Sequence, residues 1–346
     1  MGMDRNLLVL AYAGASPTFA TAPIHAGPGA AVLGRATVGR GAWFGAGAVV
    51  RADGHYVEIG DDFRIGARGT VHIAHDVYPT HIGNGVTAGV NAIIHACDVG
   101  DRCHIGDDAI ILDGSTIGDE VVLAKGAVVF PRSSLEGGWL YEGAPAKPVR
   151  RLDQGELEAL HAASREQADL PGIEAGNPRV EADGQLFVAA TARLVGHILA
   201  GPEVGIWFGC EFDAGGHAIT IGQSSNIQDN TIIRCEAAPV RIGRESTVGH
   251  NVLLTDCFVG DRSLVGMGAV VAPGTVIEDD VLLAAGSRTT EGQRLESGWL
   301  YGGVPARQMS PLDDRKRAII TTTWPTYCTY ARKFDDEQRK QTAVKA

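Results

Sequence analysis

At 346 residues the chain is long enough for two domains, each able to bury its own core. Forty-six glycines beside only 6% aromatic residues do not suit an ordinary α/β enzyme and fit a coiled β architecture rich in tight turns. The net charge of −11 argues against nucleic acid or an anionic membrane surface as a partner. The six cysteines (97, 103, 210, 235, 257, 328) form no CxxC pair, so they read as small core thiols and not as a disulfide framework or a thiolate cluster.

Residues 7–13 are apolar but too short for a signal peptide and follow the acidic Asp4, so they are read as an opening strand. No run approaches the roughly 20 apolar residues that span a bilayer, and a cytoplasmic protein that binds no membrane is the expectation.

From residue 36 the chain advances in sixes: ATVGRG, AWFGAG, AVVRAD, and later HIGNGV, TAGVNA, IIHACD, VGDRCH and IGDDAI. An aliphatic or β-branched residue recurs every six positions, usually followed by Gly or Asp near a turn, with neither long period-2 alternation nor helical periodicity. Six residues make one short strand and a bend. Three such units close a triangular coil with the recurring aliphatic inward, and coils stack into a solenoid. The pattern resembles the left-handed parallel β-helix of hexapeptide-repeat proteins.

The repeat recurs at a larger scale. GGWLYEGAPAKPVRRL (137–152) returns as SGWLYGGVPARQMSPL (297–312), and GVNAIIHAC (89–97) as GHNVLLTDC (249–257), both offset by 160 residues. The expected organisation is an all-β solenoid of two tandem left-handed parallel β-helix domains, each followed by an α-helix. The first domain spans 1–152, a helix (155–167) and Pro/Gly-containing linker fill 153–177, and the second domain spans 178–312. A charged, aromatic-bearing tail follows over 313–346, expected to be a helix lying on the solenoid, with Pro325 breaking the run and the basic end frayed.

Counting in sixes assigns side chains to faces. Arg51, Asp53, His72 and His95 share face one of the first copy, whereas Asn226, Gln228, Asp229 and His250 share face three of the second. The matching positions of the other copy are degenerate: Arg64, Gly66, Ala67 and Val90 in the first, and Asp213, Gly215, Arg234 and Thr255 in the second. Each copy retains what the other has lost.

RADGHYVEIG…GTVHIAHDVYPTHIGNGVTAGVNAIIHACDVG resembles the gamma-class carbonic anhydrase family, over roughly 130 residues in each copy. In that family an Arg-Gly-Asp, an Asn-x-Gln-Asp, an isolated His and a His-Asn-x-x-x-His follow in order, and three histidines hold one metal across an interface between two β-helices. The resemblance implies that His72, His95 and His250 ligate one zinc, with iron(II) or cobalt(II) also suited to a three-histidine site. It implies an enzyme using a zinc-bound hydroxide at a single composite site between the two domains, since three imidazoles and an open position bring bound water to a pKa of about 7. The substrate is then a small molecule: carbon dioxide to be hydrated, or a small ester, thioester or amide to be hydrolysed. Gln228 and Asn226 would orient the hydroxide or the substrate oxygen. Arg51, Asp53 and Asp229 would pair across the interface, in a structural or a catalytic capacity. The family's glutamates near the metal are missing, and His75, three residues after His72, is the candidate proton shuttle, with packing or loop-fixing as its other reading. His55 is a second candidate. The remaining histidines (25, 81, 104, 161, 197, 217) are read as surface or loop residues.

The family assembles as trimers, and two unlike domains cannot alternate around a ring of three. A monomer mimicking an oligomer and a homo-oligomer both remain open. Two other functions compete: a coenzyme A-dependent hexapeptide acyltransferase, which would need one basic histidine and no metal, and a non-catalytic scaffold.

Overall fold

The computed structural model describes residues 6–166, 169 and 177–345, so most of the expected linker lies outside the described residues. The chain groups into two compact units, residues 1–172 with 340–346 and residues 173–339. Each is a left-handed parallel β-helix.

In the first unit each six-residue step becomes one short strand. Strand Val49–Ile59 turns a corner: Val49 aligns with Thr70 on one face, and Val57 aligns with Thr80 on the next. Face one continues through Thr70–His72, Ile93–His95 and Ile110–Ile111, face two through Thr80–Ile82, Asp98–Val99 and Thr116–Ile117. Face three carries Trp43–Phe44, Arg64–Ile65, Thr87–Ala88 and His104–Ile105. The recurring apolar side chains stack inward as columns, Val50, Val71, Ile94 and Ile111 on face one and Phe44, Ile65, Ala88 and Ile105 on face three. Each fully buried Val or Ile contributes about 1.5–3 kcal/mol, so the repeat itself is the core.

Corners explain the Gly-Asp pairs of the repeat. The Oδ1 of Asp101 accepts the Asn84 N–H at 2.7 Å, and the Oδ1 of Asp119 accepts the Asp101 N–H at 2.8 Å. A Cβ on Gly83 would lie 2.4 Å from that Asp101 oxygen, so glycine is required at this corner position where the next rung carries such an aspartate. The carboxylate satisfies a backbone N–H that the bend removes from the ladder.

The second unit repeats this plan with strand Glu211–Ile221 at the matching corner. Both copies of the Gly-x-Pro-Ala turn contain a cis proline, Ala144–Pro145 and Val304–Pro305, followed by an antiparallel strand, Lys147–Arg151 and Arg307–Pro311. Each strand leads into a helix capped by an aspartate. Asp153 Oδ1 accepts the Glu156 N–H at 2.7 Å to open α1 (Gln154–Glu166), and Asp313 Oδ1 accepts the Lys316 N–H at 2.9 Å to open α2 (Asp314–Lys345).

Helix α2 corrects one expectation, because it runs through Pro325 without a break. Proline removes one backbone donor. Around it, Thr322, Thr326 and Thr329 hydroxyls bond the carbonyls four residues earlier, and on the far side Phe334 packs on Trp207 and Phe208 at ring separations of 5.8 and 5.4 Å. Tertiary packing outweighs the local cost. Among the described residues no helix is long and apolar enough to cross a membrane.

Candidate functional site

Strand pairing in the first unit aligns His72 with His95 on adjacent rungs of face one, their neighbours Val71 and Ile94 turned into the core. Both histidines are buried, as are Arg51 and Asp53. His72 Nδ1 lies 3.2 Å from His95 Nε2. The other nitrogens face carboxylates: His72 Nε2 is 3.1 Å from Asp53 Oδ1, and His95 Nδ1 is 2.6 Å from Asp113 Oδ1. Asp53 is itself held by the Arg51 guanidinium and by the Gly54 N–H at 3.0 Å. Burial, then the charge of Asp53, pushes the Tyr12 phenol well above its ordinary pKa, so it stays a neutral neighbour of this pair.

These contacts decide the protons. A neutral imidazole carries one, and the carboxylates draw it to the outer nitrogen of each ring. The inner nitrogens then face one another as lone pairs, which a shared proton or a shared metal ion must bridge. Two imidazole nitrogens bound to tetrahedral zinc at about 2.0–2.1 Å stand about 3.3–3.4 Å apart. The observed separation fits such an ion.

In the second unit Asn226, Gln228, Asp229 and His250 lie on face three, where Asn226 aligns with Thr247. All four are buried. Asn226 Nδ2 donates to Thr247 Oγ1 at 3.0 Å, and Gln228 Nε2 donates to Asn226 Oδ1 at 3.3 Å. This chain fixes the Gln228 amide with its nitrogen toward Asn226. Asp229 accepts the Phe208 N–H at 3.1 Å through Oδ1 and lies 3.1 Å from His250 Nδ1 through Oδ2. With this carboxylate on the Nδ1 side, Nε2 is the His250 nitrogen that could hold a metal.

The degenerate positions have taken other roles. Arg234 aligns with Thr255 as His72 does with His95, and neither can ligate a metal through an imidazole. Arg64 lies over the Trp43 ring at 3.5 Å, a cation–π contact, and burial lowers its pKa. Val90 donates its N–H to Asp107 Oδ1 at 2.8 Å.

His75 lies in the turn between Ala74 and Tyr78 with φ of 50°, more than half exposed, its Nε2 3.7 Å from Asp76 Oδ1. His55 packs against the Tyr56 ring at 4.7 Å. Reading the sequence missed Asp113, Thr247, and Thr80, whose hydroxyl donates to the His72 carbonyl and accepts the Ala96 N–H at 2.9 Å. A signal was present for Asp113, which lies 18 residues after His95, one full coil of three hexads. The reading of His161 as a surface or loop residue also fails, because it is buried on α1.

The model of the hexapeptide repeat of succinyl-transferase matches residues 98–131 and 258–288. Gamma carbonic anhydrase 2, mitochondrial, of Arabidopsis thaliana is 32% identical over 212 residues, covering 59% of this chain and 75% of the relative. Protein YrdA of Escherichia coli (strain K12) is 35% identical over 161 residues, covering 44% of this chain and 88% of that protein. A solved structure from Desulfovibrio desulfuricans G20, assigned provisionally by name to the acetyltransferases, covers 85% of this chain and 69% of its own with a TM-score of 0.52. At 16% identity that likeness shows the fold alone.

Proposed function

We propose, on the premise that the chain belongs to the gamma carbonic anhydrase family of hexapeptide-repeat proteins, that it is a metal-dependent lyase or hydrolase with one composite site, ligated by His72 and His95 of the first unit and His250 of the second. The observation that carries this reading is the matched carboxylate behind each ring, Asp53, Asp113 and Asp229, which leaves one ligating nitrogen on each of three histidines. The complementary losses at Val90, Arg234 and Thr255 support it, because neither unit retains a full ligand set.

A divalent ion bound there would lower the pKa of its water to about 7 and so supply hydroxide at neutral pH. The protein's part is positional. Asp53, Asp113 and Asp229 orient the rings, and Arg51 neutralises Asp53. Gln228, its nitrogen tied to Asn226, offers its carbonyl oxygen as an acceptor that aligns the attacking oxygen. His75, an exposed imidazole in the turn after His72, is suited to carry the released proton to solvent, and His55 is the alternative carrier. Zinc fits the donors, and iron(II) or cobalt(II) would be accepted by the same set. Carbon dioxide hydration and hydrolysis of a small ester, thioester or amide use the same hydroxide. An acyltransferase reading rests on the repeat fold alone.

The test is metal content by plasma mass spectrometry on untagged protein, beside His250→Ala, with carbon dioxide hydration followed by stopped flow and ester and thioester hydrolysis by absorbance. One metal per chain, lost in the variant together with activity, is expected. Undiminished metal in His250→Ala would overturn the composite site.

A further inference from the structure

We propose that the first unit carries a second ligand site, independent of the metal reading, in the cleft between α1 and face three, where His104 Nε2 accepts a hydrogen bond from a small apolar alcohol or amine.

A hydrogen-bond chain fixes the state of His104. His161 Nε2 lies 3.1 Å from the Arg102 carbonyl, which can only accept, so this nitrogen carries the His161 proton. His161 Nδ1 is then a lone pair, and Thr87 Oγ1, at 3.1 Å, must donate to it. The hydroxyl's one proton is thus committed. His104 Nδ1, 2.8 Å from the same oxygen, must therefore donate its own, which leaves Nε2 as the unprotonated nitrogen. The rings of His104 and His161 meet edge to face with centroids 6.2 Å apart.

His104 lines a cavity of about 690 Å³, a size common for small-molecule sites. Val122 and Leu140 from face three and Leu160 and Ala163 from α1 supply apolar walls. The charged lining groups are Asp107, Glu156 and Glu166 against Lys125, so the cleft disfavours anions. Among the described residues no third His, Cys, Asp or Glu ligand joins His104, which points to an organic ligand over a metal. Burial supports the assignment by pulling His104 down to about 4, with His161 adding to the shift and Asp107 opposing it, so the ring is neutral at physiological pH. His161 is lowered too, chiefly by burial, with the hydrogen bond to the Arg102 carbonyl opposing and the Arg102 and Arg165 charges adding to the shift.

The experiment uses the full chain labelled with ¹⁵N, reading imidazole nitrogens in long-range ¹H–¹⁵N spectra, with His104→Gln to assign the signals. The expected result is a His104 ring protonated at Nδ1 at about pH 7 and still so near pH 5. Benzyl alcohol and benzylamine should shift Nε2, and benzoate should not. Thr87→Val should release the tautomer and weaken probe binding about tenfold, whereas Thr87→Ser, which keeps the hydroxyl, should preserve both. An Nε2–H tautomer or an imidazolium at neutral pH overturns the relay. Absence of a shift with either donor probe, or an equal shift with benzoate, overturns the site.

Discussion

Asp113 and Thr247 never touch a substrate in the proposed scheme; Asp113 sets the direction of the His95 ring and Thr247 that of the Asn226–Gln228 amides. Asp113 holds His95 Nδ1 at 2.6 Å, and removing such a carboxylate typically costs 10–100-fold in metal affinity. Asp113→Ala should weaken metal retention by about that factor in a chelator competition, with the far-ultraviolet circular dichroism unchanged. Thr247→Val should leave metal content intact and lower kcat about tenfold, because Asn226 loses its 3.0 Å anchor and Gln228 can rotate. Wild-type turnover in that variant would mean that the amide chain does not orient the reacting oxygen. Neither residue stands out by type, since aspartate and threonine are common on exposed coils. The pairing of His72 with His95 on adjacent rungs was legible from the register alone. Asp113 was legible only by counting one full coil from His95, a step that needs the solenoid to be taken literally. Thr247 carried no signal of its own.

At the scale of elements, six-residue periodicity translated into strands, with the corner of Val49–Ile59 and the loop between Ala74 and Tyr78 among the interruptions to step over. Helix α1 was legible from amphipathic spacing, but what it buries was not. His161 and His104 have nothing in their neighbourhood to announce pairing across 57 residues, and only the packing of α1 on face three brings them to one threonine. That pairing has a pH signature. His104 titrates near 4 when folded and near its ordinary 6.5 when unfolded. Between those values the unfolded chain binds a proton that the folded chain does not, so stability falls as pH drops from about 6.5 toward 4 and levels off below. His104→Gln should flatten that slope in urea-unfolding midpoints compared at about pH 7 and pH 4.5. An unchanged slope would show that burial of His104 does not govern it. Pro325 teaches the opposite lesson, because a strong local stop signal was overruled by aromatic packing of α2 that no local reading contains.

For the whole molecule, duplication with divided losses is what one composite site would leave behind, since neither copy can then be dropped. A metal held as proposed, by His72, His95 and His250 together, would stabilise the folded state by mass action. Chelation should therefore lower the thermal midpoint of the wild-type chain and leave that of His250→Ala where it already stands. Equal shifts in both would separate metal binding from His250. The even spread of carboxylates along the corners, Asp101 and Asp119 among them, accounts for much of the acidity as backbone-satisfying rungs and not as a partner-binding field.

The coil gives this protein a unit of length. Partners across one rung, such as Asp101 with Asp119 and His95 with Asp113, are separated by 18 residues, and each hexad is one face of three. An insertion of one hexad would turn every later residue onto a neighbouring face and scatter the constellation, whereas a whole coil spliced in after Ile117 would lengthen the rod with each side chain still on its own face. Tolerance to insertions and deletions is thereby quantised, and such a scaffold changes size in whole-coil steps.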